Sequence, residues 1–206
     1  LLRGGKTEQA IPLLKEALDE RSDDARLNYR YAEVLRKAGQ YEDAEEYAKV
    51  ALKQRAPKAQ LTLANIYCSQ SIQAQENGET ERSHSLLGRA RSTLDSFRPE
   101  FGNDMEVADG IRAKSYRIEG AWEQAERVLS NYPDSANTYT VYEQSKVDLH
   151  HVVQACSQGN LSDARPRLEH VVDRLTRLEQ LHGLPEPLRE LQAEVRTIQE
   201  TFEAGA

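Results

Sequence analysis

The sequence predicts an all-α chain of successive helix pairs, and three observations lead there. A glycine followed five positions later by a small residue recurs five times, as GKTEQA from Gly5, GQYEDA from Gly39, GETERS from Gly78, GAWEQA from Gly120 and GNLSDA from Gly159. The intervals of 34, 39, 42 and 39 residues are those of a helical repeat. The composition, 38% hydrophobic and 30% charged with seven prolines and eleven glycines in 206 residues, fits a soluble helical protein.

Each element follows from local chemistry. The glycine ends the first helix of a pair, where a left-handed residue costs least, and an acidic or hydroxyl residue opens the next helix just after it. Small and large apolar residues precede the glycine in step: Ala32 with Leu35, Ala64 with Tyr67, Ala113 with Tyr116. Ala32, Ala44 and Ala51 lie where the two helices of a pair meet, since only a small side chain lets axes approach to roughly 8–10 Å. Leucine in place of Ala44 is expected to overpack that contact, at about 1–3 kcal/mol. Tyr41 and Trp122 share a place in the turn, where a flat ring covers the gap between neighbouring helices. Pro12 and Pro166 each fall two residues after the small residue, near the first turn of the second helix, where a missing N–H costs little.

The departures are equally readable. Tyr67 and Gly78 are seven residues further apart than Leu35 and Gly39, close to two helical turns and about 10 Å. A two-turn insertion keeps every face in register, so SQSIQAQEN reads as a lengthened first helix, paired with a lengthened second helix through SHSLLGRARSTLDSF. RPEFGND, ending at Asp104, reads as the following connector. In the last copy Val152 replaces the small residue, and its first helix starts between about Ser135 and Val147. The paired prolines of LHGLPEPLRELQAEVRTIQETF then break the chain before a final helix with Leu188, Leu191, Val195 and Ile198 on one stripe.

This pattern resembles the tetratricopeptide repeat, a helix-turn-helix unit of about 34 residues. The resemblance spans nearly the whole chain and is fullest in the second copy. It implies a right-handed α-solenoid of antiparallel helix pairs with a C-terminal capping helix. The array covers 1–182, with a half repeat at 1–22 and repeats at about 25–56, 57–98, 104–133 and 136–182. The capping helix and tail occupy 185–206 and cover the apolar face of the last repeat. Leu1 and Leu2 lie just ahead of the repeat glycine Gly5, and LLRGGK has no initiating Met. The chain therefore reads as a fragment or processed product, with more repeats or another domain expected upstream and a leader not excluded.

Composition also narrows function. A net charge of −7 disfavours nucleic acid as a partner. No stretch approaches the roughly 18 apolar residues of a spanning helix, and no signal peptide is visible. Cys68 and Cys156 match no metal spacing and read as reduced thiols, as in a cytoplasm. His150, His151 and Cys156 share a helix at spacings of five and six, not the three or four that helical metal ligands need. His170 and His182 have no partner in sequence. The acids of EDAEE, Glu42 to Glu46, stand beside Lys49 and Lys53 and read as a solvated outer face. The GG before Thr7 lacks the spacer and preceding strand of a phosphate loop. No Ser, Cys or Lys has a recognisable activating neighbour, so no catalytic residue, metal, cofactor or small-molecule substrate is expected.

The charge distribution points to a partner. In RLNYRYAEVLRK, Arg26, Arg30, Arg36 and Lys37 face a single acid, Glu33; the following YEDAEEYAKVALKQ has four acids against two lysines. Arg112, Lys114 and Arg117 add cations in the fourth copy. The resemblance implies that first helices line the concave surface, so the groove is expected to be more basic than the chain, binding an acidic peptide or chain terminus through Arg26, Tyr29, Arg30, Glu33, Asn65, Lys114 and Arg117. Tyr29 and Glu33 stand where the carboxylate-clamp subgroup of the family has Lys and Asn, which argues against chaperone-tail binding. Two other functions compete: a sensor or regulatory tail of a larger signalling or defence protein, and a self-assembly element that pairs with another copy.

Overall fold

The computed structural model describes residues 7–56, 58–100 and 102–204. The expected glycine turn at Gly5 and the GG before Thr7 lie outside the described residues, as does Phe101 of the connector. Ten helices are present among the described residues: α1 (Thr7–Glu20), α2 (Ala25–Lys37), α3 (Tyr41–Lys53), α4 (Ala59–Glu76), α5 (Thr80–Asp95), α6 (Asp104–Glu119), α7 (Trp122–Leu129), α8 (Thr138–Ser157), α9 (Leu161–His182) and α10 (Glu186–Ala204). The chain is all-α, as the glycine period predicts. It divides into two compact units, Leu1–Gly120 and Ala121–Ala206.

The turns carry the repeat. Gly39, Gly78, Gly120 and Gly159 have φ of 77°, 77°, 82° and 73°, left-handed backbone that glycine alone adopts without strain. At Gly39 the amide donates to Arg36 O at 3.1 Å and that of Gln40 to Leu35 O at 2.9 Å. The same pair of bonds recurs at Gly78 and Gly159, so each turn closes as a Schellman motif. Second helices start two residues after their glycine, and Gln40, Glu79 and Asn160 make no side-chain cap bond. The acids thus sit in the first turn, as Glu42, Asp43, Glu81 and Asp163, where they face the helix dipole; they are not caps. Side-chain caps belong instead to first helices: Asp24 accepts from Arg26 N and Leu27 N, and Asn137 from Tyr139 N and Thr140 N. The early helix starts also put Pro12 and Pro166 in helix interiors, half a turn beyond the expected first turn.

In the first unit each helix packs on the next, and first helices also touch: α2 on α4, and α4 on α6. Ala32, Ala44 and Ala51 are fully buried. Ser83, at the small-residue place of its copy, is also fully buried, and its hydroxyl meets that of Ser71 at 2.7 Å. The two-turn insertion is helical, giving α4 eighteen residues and α5 sixteen. Twelve of the α4 residues are buried, because this helix has neighbours on every side.

In the second unit α8 and α9 form the last pair and α10 lies on both. Leu188, Leu191 and Val195 of α10 join Val141, Leu149 and Val152 of α8 and Val171, Leu175 and Leu178 of α9 in one cluster, with Ile198 at its edge. Each fully buried aliphatic side chain stabilises this by about 1.5–3 kcal/mol relative to exposure.

Candidate functional site

The residues expected to choose a partner all lie in the first unit. Arg26, Arg30, Glu33 and Lys37 follow helical spacing along one stripe of α2, and Arg26, Arg30 and Lys37 are exposed. Tyr29 is half-buried against Ala51, Ala56 and Ala59, and the Arg30 guanidinium lies 5.1 Å from its ring centre. Asn65 of α4 accepts from Lys114 Nζ of α6 at 3.0 Å. Glu33 reaches the same helix indirectly: it accepts from Arg36 at 2.7 Å, while Arg36 Nη1 donates to Ser69 Oγ at 3.4 Å. Ser69 stands one turn beyond Asn65, so α2 and α6 both reach toward one stripe of α4. Arg117 is half-buried in the last turn of α6.

The pairing redistributes the charge read from sequence. Arg36 is neutralised by Glu33, and Arg112 by Asp109 at 2.5 Å and Asp95 at 3.2 Å. The exposed cations of α2 are therefore Arg26, Arg30 and Lys37.

One acid leaves the solvated outer face. Glu42, Asp43 and Glu46 are exposed, but the Glu45 side chain is only 14% exposed and accepts from Lys49 at 2.8 Å, Gln70 at 3.1 Å and Arg89 at 2.6 Å. Burial alone would push the Glu45 carboxyl up; the three donors outweigh it and hold it at about 2. Arg89 also donates to the Tyr67 hydroxyl at 2.8 Å, with its guanidinium 4.1 Å from that ring's centre. Tyr67 and Arg89 fill the space between α3 and α5 above α4.

The second unit holds a feature that the sequence reading passed over. Gly39 and Gly78 are each matched 81 residues later, by Gly120 and Gly159. At this offset Glu45 corresponds to Glu126, Gln70 to His151, Tyr67 to Asp148 and Arg89 to His170. The small carboxylate does not fill the place of the tyrosine ring, and a crevice of about 650 Å³ opens between α7 and α9 above α8. Asp148 is gripped by Arg167 Nη1 at 3.0 Å and Arg174 Nη1 at 2.8 Å, and Arg167 also donates to Glu126 at 2.8 Å. Pro133 widens the gap: its missing N–H and its clash with the preceding residue's α conformation end α7 after eight residues, against thirteen in α3. The offset, with Tyr67 exchanged for an acid and Leu52 for Pro133, is the signal from which it was legible.

His150 and His151 lie half-buried on α8. The His150 ring stacks on Trp122 at 3.8 Å and 5°, and His151 Nε2 stands 3.4 Å from Glu126 Oε2. Trp122, at the start of α7, thus lies against the neighbouring helix α8. Desolvation, and then the neighbouring His151, lower the His150 pKa. Among the described residues no group of three or more His, Cys, Asp and Glu is placed to hold a metal, and no helix is long and apolar enough to cross a membrane.

The tetratricopeptide repeat family model matches residues 1–66, which takes in α1, α2, α3 and the start of α4. No curated protein matches the chain.

Proposed function

Starting from the tetratricopeptide repeat at residues 1–66, we propose that the chain is a protein-interaction scaffold whose first unit binds an acidic peptide or chain terminus. Repeats of this family mediate protein–protein interaction, and stacked helix pairs offer extended surfaces for it. The observation that carries the finer reading is the exposed stripe of Arg26, Arg30 and Lys37 on α2, beside a Tyr29 ring already lying under Arg30. Exposed guanidiniums take carboxylates in paired hydrogen bonds, and an aromatic face adds contact area at little entropic cost. Asn65 and Lys114 extend this reading onto α4 and α6, with Arg117 one turn further. Glu33, which accepts from Arg36 while Arg36 donates to Ser69, belongs to the same surface.

The test is a titration with capped peptides of one length, acidic, neutral and basic, read by fluorescence anisotropy. The acidic peptide binds best, and the chain with Arg26→Glu and Arg30→Glu together loses at least tenfold in affinity for it. Equal binding by that chain overturns the reading. Both positions are exposed, so the substitutions leave the helix pair intact.

A further inference from the structure

The charges along α2 stand at fixed intervals, and from them we infer which acidic peptide the first unit takes. It is an extended segment with two acids separated by one residue and no third acid in step with them. This rests on the reading of the first unit as an acidic-peptide site and adds the spacing of the acids. Arg26 and Arg30 are exposed and make no ion pair among the described residues. Four residues apart, they are separated by about 6 Å along the helix axis. In an extended peptide the side chains of one face recur every two residues, about 6.6 Å, so two acids with one residue between them meet both guanidiniums. Arg30 is steadied for this: its guanidinium lies 5.1 Å from the centre of the Tyr29 ring, which is half-buried against Ala51, Ala56 and Ala59. Stacking on a ring leaves the N–H edge of a guanidinium for a carboxylate.

The positions on either side carry the opposite charge. Glu33 follows Arg30 by three residues, its side chain 23% exposed and paired with Arg36 at 2.7 Å. Arg36 also donates to Ser69 Oγ at 3.4 Å, so this arginine is already engaged and does not answer a further acid. Asp23, exposed, precedes Arg26 by three residues. A third ligand acid in step with the first two therefore meets Glu33 at one end or Asp23 at the other, whichever way the peptide runs. Like charges set against each other in this way confer specificity by rejecting the wrong ligand. Lys37, exposed, stands beyond Glu33 at about 10.5 Å from Arg30 along the axis, within reach of an acid three residues on in the ligand. The same interruption argues against a nucleic-acid strand, which carries a phosphate at every nucleotide and cannot omit one.

The test holds charge constant and varies its spacing. Capped, dye-labelled peptides of one length, built on serine and glycine, are titrated into the whole chain and read by anisotropy. Glu-Ser-Glu binds about fivefold more tightly than its isomers with the two glutamates adjacent or with three serines between them, the difference that one exposed ion pair of about 1 kcal/mol makes. Glu-Ser-Glu-Ser-Glu, despite its extra negative charge, binds no tighter than Glu-Ser-Glu to the native chain, and severalfold tighter to the chain with Glu33→Gln. That substitution keeps the side chain's length and an acceptor for Arg36, and unchanged circular dichroism confirms that the variant folds. Affinity that rises with the number of acids whatever their spacing overturns this inference and leaves the acidic-peptide reading standing. No binding by any of the peptides, or binding unmoved by Arg26→Glu together with Arg30→Glu, overturns both. Displacement of Glu-Ser-Glu by an equal concentration of a single-stranded oligonucleotide of the same charge assigns the stripe to nucleic acid and overturns it as well.

Discussion

The α3–α4–α5 segment and the α7–α8–α9 segment are built on one plan, 81 residues apart, and differ at the point where three helices enclose a space. In the first, a tyrosine and an arginine close it over a buried glutamate. In the second, an aspartate stands at the tyrosine's position, two arginines reach in from α9, and the space stays open. Glu45 and Glu126 occupy the same place, yet Glu45 is enclosed by three donors and Glu126 stands 42% exposed beside Arg167 and His151. Repeat packing thus fixes where the helices run but leaves the space between second helices free to be closed or open.

The strongest way to break this contrast is to move the acid into the closed segment. Tyr67 is 4% exposed, so Tyr67→Asp removes a packed ring and sets a second carboxylate beside Glu45. A loss of about 3–5 kcal/mol is expected from the cavity, read as a lower urea midpoint; a change below 1 kcal/mol would show that the ring does not close the space. Next in size is the Glu45 network itself. Its carboxyl is held below the ordinary value in the folded chain, so its contribution is fully present above pH 4.5 and fades as pH falls toward about 2. Discounted for solvent screening, this is about 1–2 kcal/mol. Glu45→Gln lowers stability at pH 7 and flattens its decline between these limits in acid unfolding curves.

The ends of the two second helices give a smaller contrast. α7 ends at Leu129, four residues before Pro133, whereas α3 ends at Lys53 and is followed by a turn at Arg55, a non-glycine residue at φ 61°, with Ala56 N donating to Ala51 O at 2.9 Å. This is the glycine turn made with the wrong residue. Arg55→Gly relieves left-handed strain of about 1–2 kcal/mol against the extra chain entropy of glycine, for a net gain of about 0.5–1 kcal/mol in thermal or urea unfolding. The smallest effect belongs to His150, which replaces Ser69 at the 81-residue offset. Its pKa is lowered in the folded chain, so the neutral ring is favoured there, and stability falls as pH drops below the ordinary value near 6.5. Trp122, the sole tryptophan, reports this in fluorescence unfolding curves at pH 7.5 and 5.5, and His150→Phe reduces the dependence.

Much of the fold was legible because backbone and packing rules act locally. Gly39, Gly78, Gly120 and Gly159 announce their turns through a conformation that other residues resist, and a two-turn insertion had to remain helical to keep its faces. The stripe of Leu188, Leu191 and Val195 likewise identified α10. The candidate site was legible only in part. Arg26 and Arg30 were visible as charges, but the partner that neutralises Arg36 depends on side-chain direction, and so does the donor set that buries Glu45. The crevice was hidden for a related reason: its groups come from α7, the loop after it, α8 and α9, and Arg167 finds Glu126 across 41 residues. Periodicity within one helix carries no record of such a meeting.

The double grip on Asp148 has a mechanical side. Arg167 and Arg174 are seven residues apart, about 10.5 Å along α9, and they hold one carboxylate from opposite directions. Sliding α9 along its axis either way would stretch one bond as it slackened the other, and a slip of one helical turn, about 5.4 Å, would free both. The two bonds together thus mark one register of α9 against α8.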